Sequence, residues 1–119
     1  MRAAAVQETF AALSDPTRRG VVELLRSGPR RVGELTEALE MNKPAMTRHL
    51  RLLREAGLVQ EESLAEDARV RVYRLRKAPF EELRSWLDEI EAGWSLQLDS
   101  FKRHAERTRG RASKREREP

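Results

Sequence analysis

Residues 32–54, VGELTEALEMNKPAMTRHLRLLR, constrain this chain more than any other stretch. Apolar side chains recur there at helical spacing on both sides of a short interruption at Glu40-Met41-Asn42. Two short helices must therefore each turn one face inward and meet at a tight turn. Val32, Leu35 and Leu39 form the inward stripe of the first. In the second, at roughly 100° per residue, Met46, Leu50 and Leu53 fall together, and Pro44, Thr47, Arg48 and Arg51 project the opposite way. Ala45 and Leu52 lie on one flank, Lys43 and Arg54 on the other, and His49 sits at the boundary between buried and exposed. Two helices so joined, the second with hydrogen-bonding and cationic side chains outward, have the outline of a DNA-reading helix-turn-helix.

The flanking sequence supplies the rest of the domain. Val6, Phe10 and Leu13 predict a first helix over about 3–13. Asp15 followed by Pro16 reads as an N-cap with proline at the first helical position, opening a second helix through Val21, Val22 and Leu25 that stops at Gly28-Pro29. Arg31 stands at the N-cap of the third helix, where Ser or Thr would serve better, and Glu34 can pair with it or reach the free amides there. Asn42 caps the fourth helix, whose first turn tolerates Pro44, and Ala56-Gly57 ends it. Strands follow over about 58–62 and 70–75, around the loop SLAEDAR. In the second strand Val70, Val72 and Arg74 alternate with Arg71, Tyr73 and Leu75, so neither face is cleanly apolar. A helix-turn-helix followed by a hairpin makes a mostly α winged helix with a small β-hairpin.

Pro79 opens a long last helix carrying Leu83, Trp86, Leu87, Ile90, Trp94, Leu98 and Phe101, a stripe too long and wide for one small domain to cover. Gly93 at its middle permits close approach of another helix. An isologous dimer through the first and last helices is the expected solution, with Val6, Phe10, Leu87, Ile90, Trp94, Leu98 and Phe101 in the seam. From about Thr108 the sequence TRGRASKREREP loses its apolar residues, so a domain over 1–107 and a disordered basic tail over 108–119 are expected.

Composition excludes several alternatives. The 119 residues suit one domain, and no apolar run approaches the ~20 residues that span a bilayer. Gln7 and Glu8 interrupt the Ala-rich start before a signal core could form, which leaves the cytoplasm as the expected compartment. The chain has no cysteine, so disulfides, zinc fingers and a thiol nucleophile are excluded. With two His and no Gly-rich phosphate loop there is little from which to assemble a catalytic site, and neither enzyme activity nor a cofactor is expected. The net charge of +4 is unevenly placed: residues 102–119 carry eight Lys or Arg against three Glu, and residues 1–101 sum to −1. An argument for nucleic acid must therefore rest on where the arginines sit.

The segments FAALSDPTRRGVVELL, VGELTEALEMNKPAMTRHLRLLREAGLV and RVYRL resemble the ArsR-type winged-helix transcriptional regulators of prokaryotes, over roughly positions 5–105. The motif Asp15-Pro16-Thr17-Arg18-Arg19 and the stretch from His49 to Val59 carry the resemblance most specifically. It implies a homodimer whose fourth helix enters the major groove of double-stranded DNA and whose wing touches flanking backbone. Thr36 stands where relatives usually have Ala, and Glu40 where the turn often has Gly. A positive φ at Glu40 would cost on the order of 1 kcal/mol. The third helix lacks the paired cysteines of metal-sensing relatives, and His104 is the only His of the last helix, so no metal site is expected.

Groove chemistry gives each residue a role. Arg48 and Arg51 can reach guanine O6 and N7, and Thr47 a thymine methyl or a phosphate. Asn42 and Lys43, at the start of the helix over 43–56, suit backbone phosphates. Arg69 and Arg71, on the hairpin over 61–72, would be the wing's contacts, unless they pair with Glu66, Asp67 or Glu61. His49 is a packing or phosphate-facing residue. Arg18 and Arg19 suit internal ion pairs with Glu23 or Asp15 better than phosphate. The tail is expected to be solvated, with a minor role in nonspecific affinity. A homodimeric repressor on a palindromic operator is the leading expectation, its signal a small molecule in the dimer seam, a protein partner or the regulator's own concentration; Trp86 and Trp94 are expected as dimer core before a ligand cage, though a seam they line could admit an apolar effector. The rival is a winged-helix protein-interaction or adaptor module without specific DNA readout. Salt separates them, because phosphate binding weakens as salt rises.

Overall fold

The computed structural model describes residues 2–117, with side chains from Ala3 to Gly110. In chain order it contains α1 (Arg2–Leu13), α2 (Pro16–Leu25), α3 (Val32–Ala38), α4 (Lys43–Glu55), β1 (Val59–Ser63), β2 (Arg71–Leu75) and α5 (Lys77–Arg117). Helix starts follow the local chemistry read from sequence. Asp15 Oδ2 accepts from the Arg18 amide at 3.0 Å with Pro16 behind it, and Asn42 Oδ1 accepts from the Ala45 amide at 2.8 Å. At α3 the capping oxygen comes from inside the helix, because Arg31 has none to offer. Glu34 Oε1 accepts from the Arg31 amide at 3.3 Å.

The two helices of the helix-turn-helix end in the same way. After α4 the Gly57 amide donates to Arg54 O (2.9 Å) and the Leu58 amide to Leu53 O (3.0 Å), a Schellman closure with Gly57 at φ 79°. After α3 the Glu40 amide donates to Glu37 O (3.3 Å) and the Met41 amide to Thr36 O (3.0 Å), with Glu40 at φ 51°. The second closure thus places a side chain where the first uses glycine. Thr36 fits its helix because its hydroxyl donates back to Gly33 O (2.8 Å) and Val32 O (3.1 Å).

The core gathers Val21 and Leu25 of α2, Leu35 of α3, Met46, Leu50 and Leu53 of α4, and Leu58, Val59 and Tyr73 of the hairpin, with Leu39, Leu75 and Phe80 packed around it. Gly20 lets α2 approach α3 closely, since a Cβ there would stand 3.0 Å from Leu39 Cδ2. The antiparallel strands pair Val59 with Leu75 and Glu61 with Tyr73, so Tyr73 and Leu75 share the core-facing side with Val59. Val72 is buried on the other side, which explains why the strand shows no clean alternation. The backbone of Arg30 exchanges two hydrogen bonds with Tyr73 (3.0 and 2.8 Å), tying the α2–α3 connection to the hairpin. The result is a winged helix.

The chain divides into two compact units, residues 1–84 and 85–119, with the boundary inside α5. From Ser85 to Gly110 every side chain but those of Trp86 and Ala105 is exposed. The helix also passes Thr108, where loss of apolar residues led us to expect a disordered tail, and continues to Arg117. Arg, Ala, Lys and Glu are strong helix formers, so a segment too polar to pack is still able to extend a helix already begun.

Glu40 yields the first prediction. Left-handed backbone costs an L-residue roughly 1–2 kcal/mol, and glycine's extra freedom in the unfolded chain returns part of that. Glu40→Gly should raise the unfolding free energy by about 0.5–1 kcal/mol in urea titrations; a destabilised variant would mean that the Glu40 side chain contributes more than its backbone costs.

Candidate nucleic-acid interface

The inner arc of α4 is closed. Met46, Leu50 and Leu53 are fully buried. Each such side chain is worth roughly 1.5–3 kcal/mol relative to exposure, so the helix has little freedom to rotate about its axis. The opposite side is consequently fixed outward: Lys43, Pro44, Thr47, Arg48 and Arg51 are all exposed. Arg48, Lys43 and Thr47 have no hydrogen-bond or ion-pair partner among the described residues, and Arg51 has only Glu55, at 4.0 Å. Exposed pairs of that kind contribute about 0–1 kcal/mol, too little to hold Arg51 from a better acceptor. Asn42 is exposed at the helix start, its side-chain oxygen committed to the cap.

His49 does not join that face. It is 7% exposed, one turn from both Met46 and Leu53 on the inward side, and is thereby removed from the DNA contacts expected from sequence. Its Nδ1 lies 3.4 Å from Arg18 Nη1 and 3.8 Å from Asp15 Oδ2. A guanidinium only donates, so a hydrogen bond from Arg18 requires Nδ1 as acceptor and the ring proton on Nε2.

The same arginine reaches back to α1. Arg18 Nε donates to Ala12 O (2.6 Å) and Nη2 to Ala11 O (3.4 Å), while Arg19 Nη1 donates to Leu13 O (3.3 Å). Both arginines of the Asp-Pro-Thr-Arg-Arg motif thus satisfy carbonyls at the C-terminus of α1, where positive charge is also favoured by the helix dipole. The ion pairs expected from sequence give way to this arrangement. Glu23 pairs with Arg26 at 3.6 Å, and the Asp15 carboxylate takes the Arg18 backbone amide. That amide bond, followed by the nearby His49 and Arg18, holds the Asp15 carboxyl below its ordinary range against the opposing effect of desolvation.

The wing arginines are partly engaged. Arg69 donates through Nε to Asp67 Oδ1 (3.3 Å), and Asp67 is held below the usual carboxylate range first by the Arg69 amide and then by its side chain. Arg69 is 91% exposed, so phosphate could replace this partner at small cost. Arg71 is more committed: Nη1 donates to Ser63 Oγ (3.1 Å) and Nε lies 3.5 Å from Glu61 Oε1. Glu61 also receives Arg54 Nη1 (2.9 Å) and the Tyr73 hydroxyl (3.3 Å). Burial, and then this carboxylate, raise the Tyr73 pKa. The cluster joins the last turn of α4 to the hairpin, a role for Arg54 and Tyr73 that sequence reading missed because strand register and the packing of α4 against β1 together bring them to Glu61.

In the second unit, Leu87, Ile90, Trp94, Leu98 and Phe101 form an exposed stripe along α5, Trp94 at 66% and Phe101 at 73%. Phe10 of α1 is also largely exposed, whereas Val6, expected in the same seam, is 4% exposed and so unavailable to a partner. Among the described residues no three His, Cys, Asp or Glu side chains converge as metal ligands would. Among the described residues no helix is long and apolar enough to cross a membrane.

These features define a winged-helix protein with a cationic, hydrogen-bonding recognition helix. The family described as bacterial regulatory protein, arsR family, matches residues 15–61, from the α2 cap into β1. The HTH-type transcriptional regulator Rv2034 of Mycobacterium tuberculosis is 38% identical over 92 residues, covering 77% of this chain and 80% of that one. The transcriptional repressor SdpR of Bacillus subtilis is 34% identical over 56 residues, 47% of this chain and 62% of that one. Among solved structures, an ArsR-like transcriptional regulator from Rhodococcus superposes with a TM-score of 0.70 at 28% identity, covering 84% of this chain and 92% of that one. The chain belongs to the ArsR family of bacterial transcriptional regulators, a family of DNA-binding regulators and not of enzymes.

The Asp15 corner is testable by pH. A carboxyl whose folded pKa is depressed adds stability above its unfolded value of about 3.9 and loses it as pH falls through the folded value. Asp15→Ala should cost about 1 kcal/mol near neutrality. In urea titrations across pH, the gap to wild type should close only in the acid range below about pH 3.9; a gap that persists unchanged there would assign the loss to something other than the carboxylate.

Proposed function

We propose that this regulator is a homodimeric repressor that reads a roughly palindromic operator with α4 in the major groove. The observation that carries the reading is the outer face of α4, where Thr47, Arg48 and Lys43 are exposed and unpartnered while the inner arc is fully buried. A guanidinium held outward without a protein partner can donate two hydrogen bonds to guanine O6 and N7, the commonest specific contact to a base edge. Arg51, one turn further along the same face, does the same once released from Glu55. Thr47 meets a thymine methyl or a phosphate. Lys43 and the free amides at the start of α4 bind phosphate, with Asn42 fixing that start.

The wing contributes through Arg69, whose exposed pair with Asp67 exchanges readily for phosphate. Arg71 serves the Glu61 cluster and sets the angle of the hairpin to α4. His49 acts indirectly, through its packing beneath the reading face. The apolar stripe of α5 pairs with that of a second copy, and Phe10 offers further apolar surface on α1. Two copies related by a two-fold axis place two recognition helices on half-sites about one helical turn apart. Occupation of a promoter in the cytoplasm then blocks transcription, and a small molecule or a protein that shifts the dimer seam would relieve it.

Fluorescence anisotropy with the protein's own promoter and a scrambled duplex tests the reading. Arg48→Ala and Arg51→Ala should each weaken promoter binding by about 1–3 kcal/mol and narrow the margin over scrambled DNA, with unfolding midpoints unchanged. Equal binding of the wild type to both duplexes would favour a protein-interaction module instead. Trp94→Ala should weaken the dimer by roughly 3 kcal/mol in sedimentation equilibrium, and an unaltered dimer would place the seam elsewhere.

A further inference from the structure

The Glu61 cluster between α4 and the hairpin carries more positive charge than its structural role requires. Beside it lies an open cavity of about 490 Å³, lined by Arg54 of α4, Val59, Gln60 and Glu61 of β1, Arg71 of β2, and Arg76. Three guanidinium groups and one carboxylate line it, a sum of +2. The neighbouring acids are engaged elsewhere. Glu55, next to Arg54 in the chain, lines a separate concavity against α1, and Glu62, on the other face of the strand, pairs with Arg74 at 3.4 Å.

Glu61 orients these arginines without exhausting them. Arg54 reaches it through Nη1 (2.9 Å) and Arg71 through Nε (3.5 Å), with Arg71 Nη1 on Ser63 Oγ (3.1 Å). Arg76 Nη1 donates to Gly57 O at 3.4 Å and has no carboxylate partner among the described residues. The Nη2 group of each arginine is left without a hydrogen-bond partner among the described residues. A side chain already held in place loses less freedom on binding, so one internal carboxylate preorganises two cations while cancelling only one charge.

The cavity also continues the recognition surface. Arg54 stands three residues beyond Arg51 in α4, about 60° round the helix from it. Arg71 begins β2 beside the wing loop and Arg76 follows its other end, a separation of roughly 17 Å along an extended strand. Cations spread over that length match a row of phosphates, one per about 3.4 Å of axis on each strand of a duplex, better than a single small anion. We infer that this arginine-lined cavity is a seat for the phosphate backbone of duplex DNA beside the reading face, and that Glu61 is its internal competitor. Phosphate carries no sequence, so the seat adds affinity equally for every duplex, and Glu61 holds that sequence-independent part down. The inference deepens the operator reading and rests on it only for the choice of DNA as partner.

The test is fluorescence anisotropy of the full chain on promoter and scrambled duplexes through a salt series. Glu61→Gln keeps the shape and an acceptor oxygen and removes the charge. It should raise affinity on both duplexes by about threefold and steepen log affinity against log salt by about 1 per chain. Arg54→Gln with Arg76→Gln should flatten that slope by about 2 per chain on both duplexes. The promoter-to-scrambled ratio should stay unchanged in each. A purely structural Glu61 would give the opposite sign, because a loosened wing weakens binding. Arg76→Gln alone touches no carboxylate and should flatten the slope by about 1, which keeps the test decisive if the Glu61 variant unfolds more easily. Wild-type slopes in the arginine variants, or weaker binding by a Glu61→Gln protein of unchanged unfolding midpoint, would overturn the inference. So would inorganic phosphate, at constant ionic strength, raising the unfolding midpoint of the wild type but not of the double arginine variant while their DNA slopes coincide; the cavity would then belong to a free anion. Wild-type binding equal on both duplexes removes the operator reading and leaves the slope comparison standing on scrambled DNA. Promoter-selective binding with coincident slopes removes the seat alone.

Discussion

Met46, Leu50 and Leu53 enter the core from one side of α4 and meet Val21, Leu25 and Leu35 there. Rotating the helix by even one residue, about 100°, would lift leucines into water and drive cationic side chains toward a medium that cannot solvate them. The outward direction of Thr47, Arg48 and Arg51 is therefore set by apolar burial on the other side of the helix. Two chain closures reinforce it, because the Asn42 cap and the Gly57 turn fix where α4 begins and ends.

The Asp-Pro-Thr-Arg-Arg motif serves this geometry from a distance. Asp15 starts α2, Arg18 and Arg19 close the carbonyls of α1, and Arg18 together with Asp15 flanks the buried ring of His49 on α4. One short segment thus joins three helices through polar contacts at the edge of an apolar core. Charge is sorted in a similar way. Arginines on the hairpin are matched with Glu61, Glu62 and Asp67, while Arg48 of α4 is left without a carboxylate among the described residues. A body with nearly no net charge can still present a positive field where helix faces concentrate it.

Much of this was legible in the chain itself. Helix starts at Asp15-Pro16 and Asn42, the stop at Gly57, and the inward set of α4 depend on residues within a few positions of one another, so spacing and side-chain type suffice. Reading failed where partners are distant in sequence. Arg18 was expected to pair with an acid and instead found backbone carbonyls and a histidine 31 positions away. Val6 looked like seam and is buried, and of the packing and phosphate-facing readings of His49 its burial supports packing. Glu40 was recognised as the place where a positive φ would be needed, and it adopts one.

The sequence by itself determined the helix-turn-helix, the wing and the one-sided apolar helix at the end, because periodicity and capping are local and one dimension records them fully. Only the tertiary structure decided which cations are free and which are spent on neighbours. Ion pairing depends on distances of 3–4 Å across elements, as between Arg54 of α4 and Glu61 of β1, and no spacing rule along the chain encodes those distances.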